Sequence, residues 1–137
     1  MLRAFFAVLT GLFIWIVAAT AFNLLLRVAL PGYASAEPSL DFTLGMMIAR
    51  LLLPGGLPSL LAGYAGAWVA HGDRRATAAL AGILVALFLP VHYQLWARFP
   101  LWYHVAFLGS LPVLTVAGAA VRTRWPRSPD AIPARAA

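Results

Sequence analysis

The sequence predicts an all-α integral membrane protein, a four-transmembrane-helix bundle whose second span is broken by proline and glycine. Three observations point there. Hydrophobic residues make up 63% of the 137 positions and charged residues 10%, with a mean hydropathy of +0.86, whereas soluble domains carry about 25% charged residues. The apolar residues collect in four stretches, about 4–26, 42–70, 76–97 and 101–121, each long enough as a helix to cross a hydrocarbon core of about 30 Å. Turn formers lie between them, and Arg50 alone among the charged residues falls within a stretch. Together these features predict one transmembrane domain over 1–121. They leave an Arg- and Pro-rich tail over 122–137, expected to stay unstructured or to lie along anionic lipid.

The first stretch runs between Arg3 and Arg27. A secretory signal peptide is the competing reading, because Ala34-Ser35-Ala36 resembles a cleavage site. The apolar run is longer than a signal peptide needs, and Pro31-Gly32 separates it from that site, so it reads as a retained span. Thr20 and Asn23, in its later half, are expected to bond a neighbouring helix or their own backbone. A polar connection over 33–41 follows, holding Glu37 and Asp41, and either Ser39 or Asp41 is placed to cap the next helix.

The second stretch is too long for one upright span, and it contains Arg50 followed by Pro54, Gly55, Gly56 and Pro58. Pro54 cannot donate to the carbonyl of Arg50, nor Pro58 to that of Pro54, so a kink or a break is expected. Counting back about twenty residues from Ala70 puts Arg50 at the bilayer boundary, level with Arg27 and Arg98. Residues 42–49 would then be interfacial or re-entrant. Starting the span at Phe42 instead buries Arg50 about 12 Å deep, at a cost of about 2.5–3.5 kcal/mol with no acid in the spans to pair with it. The boundary position is therefore the favoured reading. Beyond the break, Ala62, Gly66 and Ala70, with Ser59, Gly63 and Ala67 beside them, form small-residue ladders that let helices approach closely.

His71 to Arg75 read as a compact turn, with Gly72 ending one helix and Asp73 capping the next. The third span repeats the ladder at Ala78, Gly82 and Ala86 and meets Pro90 near its end. Arg98-Phe99-Pro100 turns the chain into the fourth span, which contains Pro112. Tyr93, Trp96, Phe99, Trp102 and Tyr103 crowd this turn as an aromatic belt would.

Arg3, Arg74, Arg75, Arg122, Arg124, Arg127 and Arg135 fall on one side of the predicted bundle. Arg27 and Arg98, with Arg50, fall on the other, which predicts that both termini are cytoplasmic. The net charge of +6 thus reads as membrane orientation, not nucleic-acid binding. An all-Arg basic set in an Ala-rich chain suggests a GC-rich bacterial genome, and hence a bacterial inner membrane.

Function is bounded mainly by exclusion. Without cysteine there are no disulfides, thiolate metal sites or cysteine nucleophiles. All four acids lie outside the spans, so no intramembrane carboxylate is present for proton-coupled antiport. No Ser-His-Asp set, H-E-x-x-H motif or glycine-rich phosphate loop occurs, and no enzyme activity, cofactor or metal is expected. The expected partners are the lipid bilayer and either further copies of the chain or another membrane protein. One reading is a structural or accessory subunit that packs through its small-residue faces. The alternative is a small transporter or channel for an anionic or neutral solute, using an outward-facing polar pocket of Arg50, His92, His104, Gln94 and Arg27. His92 and His104 are symmetric about Arg98, so a hairpin brings them to one depth, either as interfacial residues among aromatics or sharing a ligand. A half-helix beginning near Pro58 would offer free N–H groups to an anion.

Overall fold

The computed structural model describes residues 1–124, which contain helices and no strand. In order these are α1 (Leu2–Ala29), α2 (Tyr33–Ala36), α3 (Leu44–Arg50), a π-helical segment (Leu51–Gly56), α4 (Leu57–Ala70), α5 (Arg74–Gln94) and α6 (Leu101–Arg124). Four helical runs, Leu2–Ala29, Leu44–Ala70, Arg74–Gln94 and Leu101–Arg124, are long and apolar enough to cross a membrane. Their bounds fall within a few residues of the four predicted stretches. Arg122 and Arg124, assigned to the tail on sequence, instead complete the last turn of α6. The rest of the predicted tail, including Arg127 and Arg135, lies outside the described residues.

Four antiparallel runs place Met1, the α4–α5 turn and Arg124 at one end, here the termini end. The α1–α3 connection and the α5–α6 turn form the opposite, loop end. α4 is the central helix, with α1 along one side and α6 along the other, while α5 lies chiefly against α6. The α4 ladder explains the central position. Ala62, Gly63, Gly66, Ala67 and Ala70 are all buried. A Cβ on Gly63 would overlap the backbone carbonyl of Thr115, and one on Gly118 would overlap that of Leu60. The α4 and α6 backbones therefore touch at reciprocal glycines, as small residues permit. On the α1 side, Gly11 faces the Leu80 side chain and the Ala62 carbonyl.

The second ladder departs from expectation. Ala78, Gly82 and Ala86 are exposed, and nothing lies within 4 Å of where a Gly82 Cβ would stand. α5 instead buries Leu80, Ala81 and Leu84. Large side chains fill its interface because the α5 axis is not drawn against a neighbour by reciprocal glycines.

The proline–glycine stretch stays helical. Between Leu51 and Gly56 the backbone takes the π register, with the Leu57 N–H reaching the Leu52 carbonyl five residues back. In that register the Gly55 N–H, not the missing one of Pro54, serves the carbonyl of Arg50. α3 accordingly continues directly into the π segment, so Leu44–Arg50 belongs to the same helical run. The two glycines are also needed for space, since a Cβ on Gly55 would stand 2.8 Å from the Phe107 ring and one on Gly56 3.2 Å from Leu114. α5 and α6 run through Pro90 and Pro112 without ending. Of the caps, Asp73 accepts from the Arg75 N–H at 2.9 Å as expected. α3 is capped by Thr43, which accepts from the Met46 N–H at 3.3 Å, rather than by Ser39 or Asp41. His71 takes the left-handed C-cap position (φ 54°) ahead of Gly72 (φ 85°).

Candidate functional site

The loop end is organised by a connection that looked merely polar in sequence. Gly32, in the left-handed region (φ 77°), starts the short α2, and Tyr33 enters the core fully buried. Its ring lies 5.3 Å from that of Phe42, which stacks in turn on Phe99 at 6.1 Å. The Tyr33 phenol is then the middle link of a directional chain of hydrogen bonds. Arg50 donates to the Tyr33 oxygen at 3.1 Å, Tyr33 donates to Asn23 Oδ1 at 2.9 Å, and the Asn23 amide donates to Glu37 at 2.9 Å. Arg27 Nε closes the other side of Glu37 at 3.2 Å. Arg50 also lies 5.2 Å from the centre of the Phe42 ring, a cation–π distance. Its partners Tyr33 and Phe42 both belong to the α1–α3 connection. Burial raises the Tyr33 pKa above its ordinary value of 10.0, while the charge of Arg50 opposes that shift.

Only Arg27 pairs directly with Glu37, so two arginines against one carboxylate leave a net positive charge. Both line a cavity of about 420 Å³ between α1, the π segment and the aromatic side chains of α5 and α6. Thr20 and Asn23 add polar groups to its wall, and Trp15, Phe88 and Phe107 supply its apolar floor. Trp15 is held from behind, donating to the Ser59 hydroxyl at 3.0 Å. Ser59 in turn donates to the Gly55 carbonyl at 2.8 Å, fixing the floor to the π segment.

The pocket envisaged on sequence divides into parts. Arg27 and Arg50 come together in this cavity, but His92, His104 and Gln94 do not line it. Gln94 is exposed. The two histidines, expected near the interface among aromatics, are buried at 5% and 1% exposure. Their Nδ1 atoms lie 2.8 Å apart, so one ring carries its proton on Nδ1 and the other accepts there. Phe107, 4.7 Å from His92, stands between them and the cavity, while Trp96 stacks on His104 at 4.8 Å. His104 Nε2 is buried without a hydrogen-bond partner. Among the described residues no third His, Asp or Glu joins them in a metal-binding group. The aromatic belt also splits: Tyr93, Trp96 and Trp102 are exposed, whereas Phe99 and Tyr103 are buried around the pair. The N-terminal half-helix site is not formed either, because the Leu57 N–H is taken by the Leu52 carbonyl.

Sequence reading missed Tyr33, Glu37, Trp15 and Ser59 as site residues. A usable signal existed for Glu37: it is the first acid after Arg27, and a short connection must keep the two close. Nothing in a single tyrosine after Pro31-Gly32 announces that it turns inward.

Among the described residues these features define an all-helical bundle of four helices long and apolar enough to cross a membrane, with a cationic, aromatic-floored cavity at its loop end. Comparison of the chain with known protein families, curated proteins and solved structures finds no match.

Proposed function

We propose that this is a small membrane-embedded binding protein whose loop-end cavity takes an anionic amphiphile. The observation that carries this reading is that Arg27 and Arg50, with only Glu37 between them, line the same cavity as three aromatic side chains. An anionic head group meets the arginines, Asn23 and Thr20, while an apolar chain lies along Trp15, Phe88 and Phe107. Arg50 is the stronger anchor, since among the described residues it donates to the Tyr33 phenol and not to a carboxylate. Binding fits better than conduction, because Leu80, Leu84 and Leu111 are buried at 1% exposure or less deeper in the bundle. Among the described residues, arginines 3, 74, 75, 122 and 124 lie at the termini end against 27, 50 and 98 at the loop end. That bias supports cytoplasmic termini and an outward-facing cavity, while the bacterial inner membrane rests on the all-Arg, Ala-rich composition alone.

The test is calorimetric titration of the detergent-solubilised protein with dodecyl phosphate. Saturable binding is expected, weakened about tenfold in Arg50→Gln, with dodecanol not binding. Equal affinity of the wild type and Arg50→Gln would remove the arginine from the account.

A second reading, self-association or docking of a partner helix through α5, is favoured by the open space over Gly82 between exposed Ala78 and Ala86. Crosslinked dimers that survive Gly82→Leu unchanged would rule it out.

A further inference from the structure

At the termini end a second recess separates α5 from α6. It measures about 560 Å³ and is lined by Gly72, Arg74, Thr77 and Thr123 at its mouth and by alanines and Val116 below. We propose that this groove is a binding site for an anionic phospholipid of the adjacent leaflet, with phosphate on Arg74 and an acyl chain along Ala78, Val116, Ala119 and Ala120.

Five observations carry it. The recess lies between Arg74–Gln94 and Leu101–Arg124, two helices long and apolar enough to cross a membrane. Its size falls within the range of about 300–1,000 Å³ typical of ligand pockets. Its mouth is cationic: Arg74 lines it, while Arg75, Arg122 and Arg124 belong to the same helix ends without lining it. None of these four forms an ion pair among the described residues, where the one salt bridge is Arg27–Glu37 at the other end. The nearest acid, Asp73, is occupied in accepting from the Arg75 N–H. Donors are also available, because Thr77 Oγ1 is 3.4 Å from the Asp73 carbonyl, too long for a good O–H···O bond. Its proton can turn to a phosphate oxygen. Finally, the groove explains Ala78. The first rung of the α5 ladder is small and exposed, and as part of the groove wall it leaves room for an acyl chain where a leucine would fill it. Basic pockets between transmembrane helices are a recurring form of phospholipid site.

The test is native mass spectrometry of the full chain released from mixed micelles containing equal phosphatidylglycerol and phosphatidylcholine. The wild type should retain one phosphatidylglycerol in preference to phosphatidylcholine. Arg74→Gln should lower that retention about fivefold, the effect of one basic residue at a lipid surface. Arg75→Gln, one residue along but outside the groove, should leave it unchanged. Ala78→Leu, at an exposed position that does not disturb folding, should lower retention with every arginine in place. Inorganic phosphate at millimolar concentration should not displace the lipid. Equal loss in Arg74→Gln and Arg75→Gln would reduce the effect to a diffuse basic surface and overturn the proposal. Displacement by inorganic phosphate, or full retention in Ala78→Leu, would likewise overturn the acyl groove. The loop-end cavity is intact in all three variants, so dodecyl phosphate binding there reports separately.

Discussion

The α4 and α5 ladders have the same spelling and opposite fates. Ala62, Gly66 and Ala70 lie against other helices in the interior, whereas Ala78, Gly82 and Ala86 face outward. A small residue every fourth position grants permission for close approach. It does not supply the reciprocal surface. α4 has one, because Gly118 on α6 stands opposite its Leu60 carbonyl while Gly63 stands opposite Thr115. No glycine meets Gly82. What distinguishes a packing ladder from an open one is the matching gap on a second helix, which a single segment does not reveal.

Substitutions at the two ladders put that difference under strain. The largest effect is expected at the crossing: Gly63→Ala or Gly118→Ala forces backbone apart and should destabilise the bundle by about 3 kcal/mol, as severe overpacking does, seen as a lower midpoint in thermal unfolding in micelles. Gly82→Ala should have the opposite sign, raising stability by up to about 1 kcal/mol through helix propensity. If Gly82→Ala proved as damaging as Gly63→Ala, the outward placement of the α5 ladder would be wrong. Ser59→Ala sharpens the comparison within α4. It strips Trp15 Nε1–H and the Gly55 carbonyl of their partner without altering the close approach, at about 1 kcal/mol. The smallest effect belongs to the loop end, where Tyr33→Phe interrupts the Arg50–Tyr33–Asn23–Glu37 chain. It should cost somewhat under about 1 kcal/mol at neutral pH.

Tyr33 also gives a pH test with a definite sign. Because its pKa is raised in the folded protein, the folded state holds the phenol proton longer than the unfolded chain does. The associated stability is complete below pH 10.0, the ordinary value, and falls as pH climbs from there through the raised value. In Tyr33→Phe this part of the alkaline decline should vanish. An identical decline in both proteins would assign it to other groups.

How far the sequence could be read follows from the physics of each feature. The four spans were legible because length and apolar composition are local quantities, and so were the Asp73 cap and the turn at Gly72. Arg27 and Arg50 were correctly grouped at one end by counting residues along helices. The histidine pair was placed at equal depth by symmetry about Arg98, but depth says nothing about azimuth. Whether His92 and His104 face outward or inward depends on how α5 and α6 rotate against Phe107 and Phe99, and only packing decides that. Tyr33 shows the same limit in a loop, where no periodicity tells which side chain turns in. The proline–glycine stretch was legible as an irregularity but not in its form: counting α-helical partners alone leaves the Arg50 carbonyl orphaned, whereas one wider turn offers it the Gly55 N–H.

That wider turn has a consequence for the phase of the second span. A π-turn accommodates roughly one additional residue, about 100° of helical rotation, so the faces of α3 and α4 are offset from those of an uninterrupted α-helix. The offset lets Arg50 address Tyr33 and the cavity while Ser59, Gly63 and Gly66 still address α1 and α6. Deleting one residue at 51–53 would restore plain α-helical winding and keep both halves helical. It would also put the cationic face and the glycine face out of step, so that the bundle could satisfy one of them only by losing the other. The second span works as two correctly phased surfaces on one rod, and the setting between them is a single residue of slack.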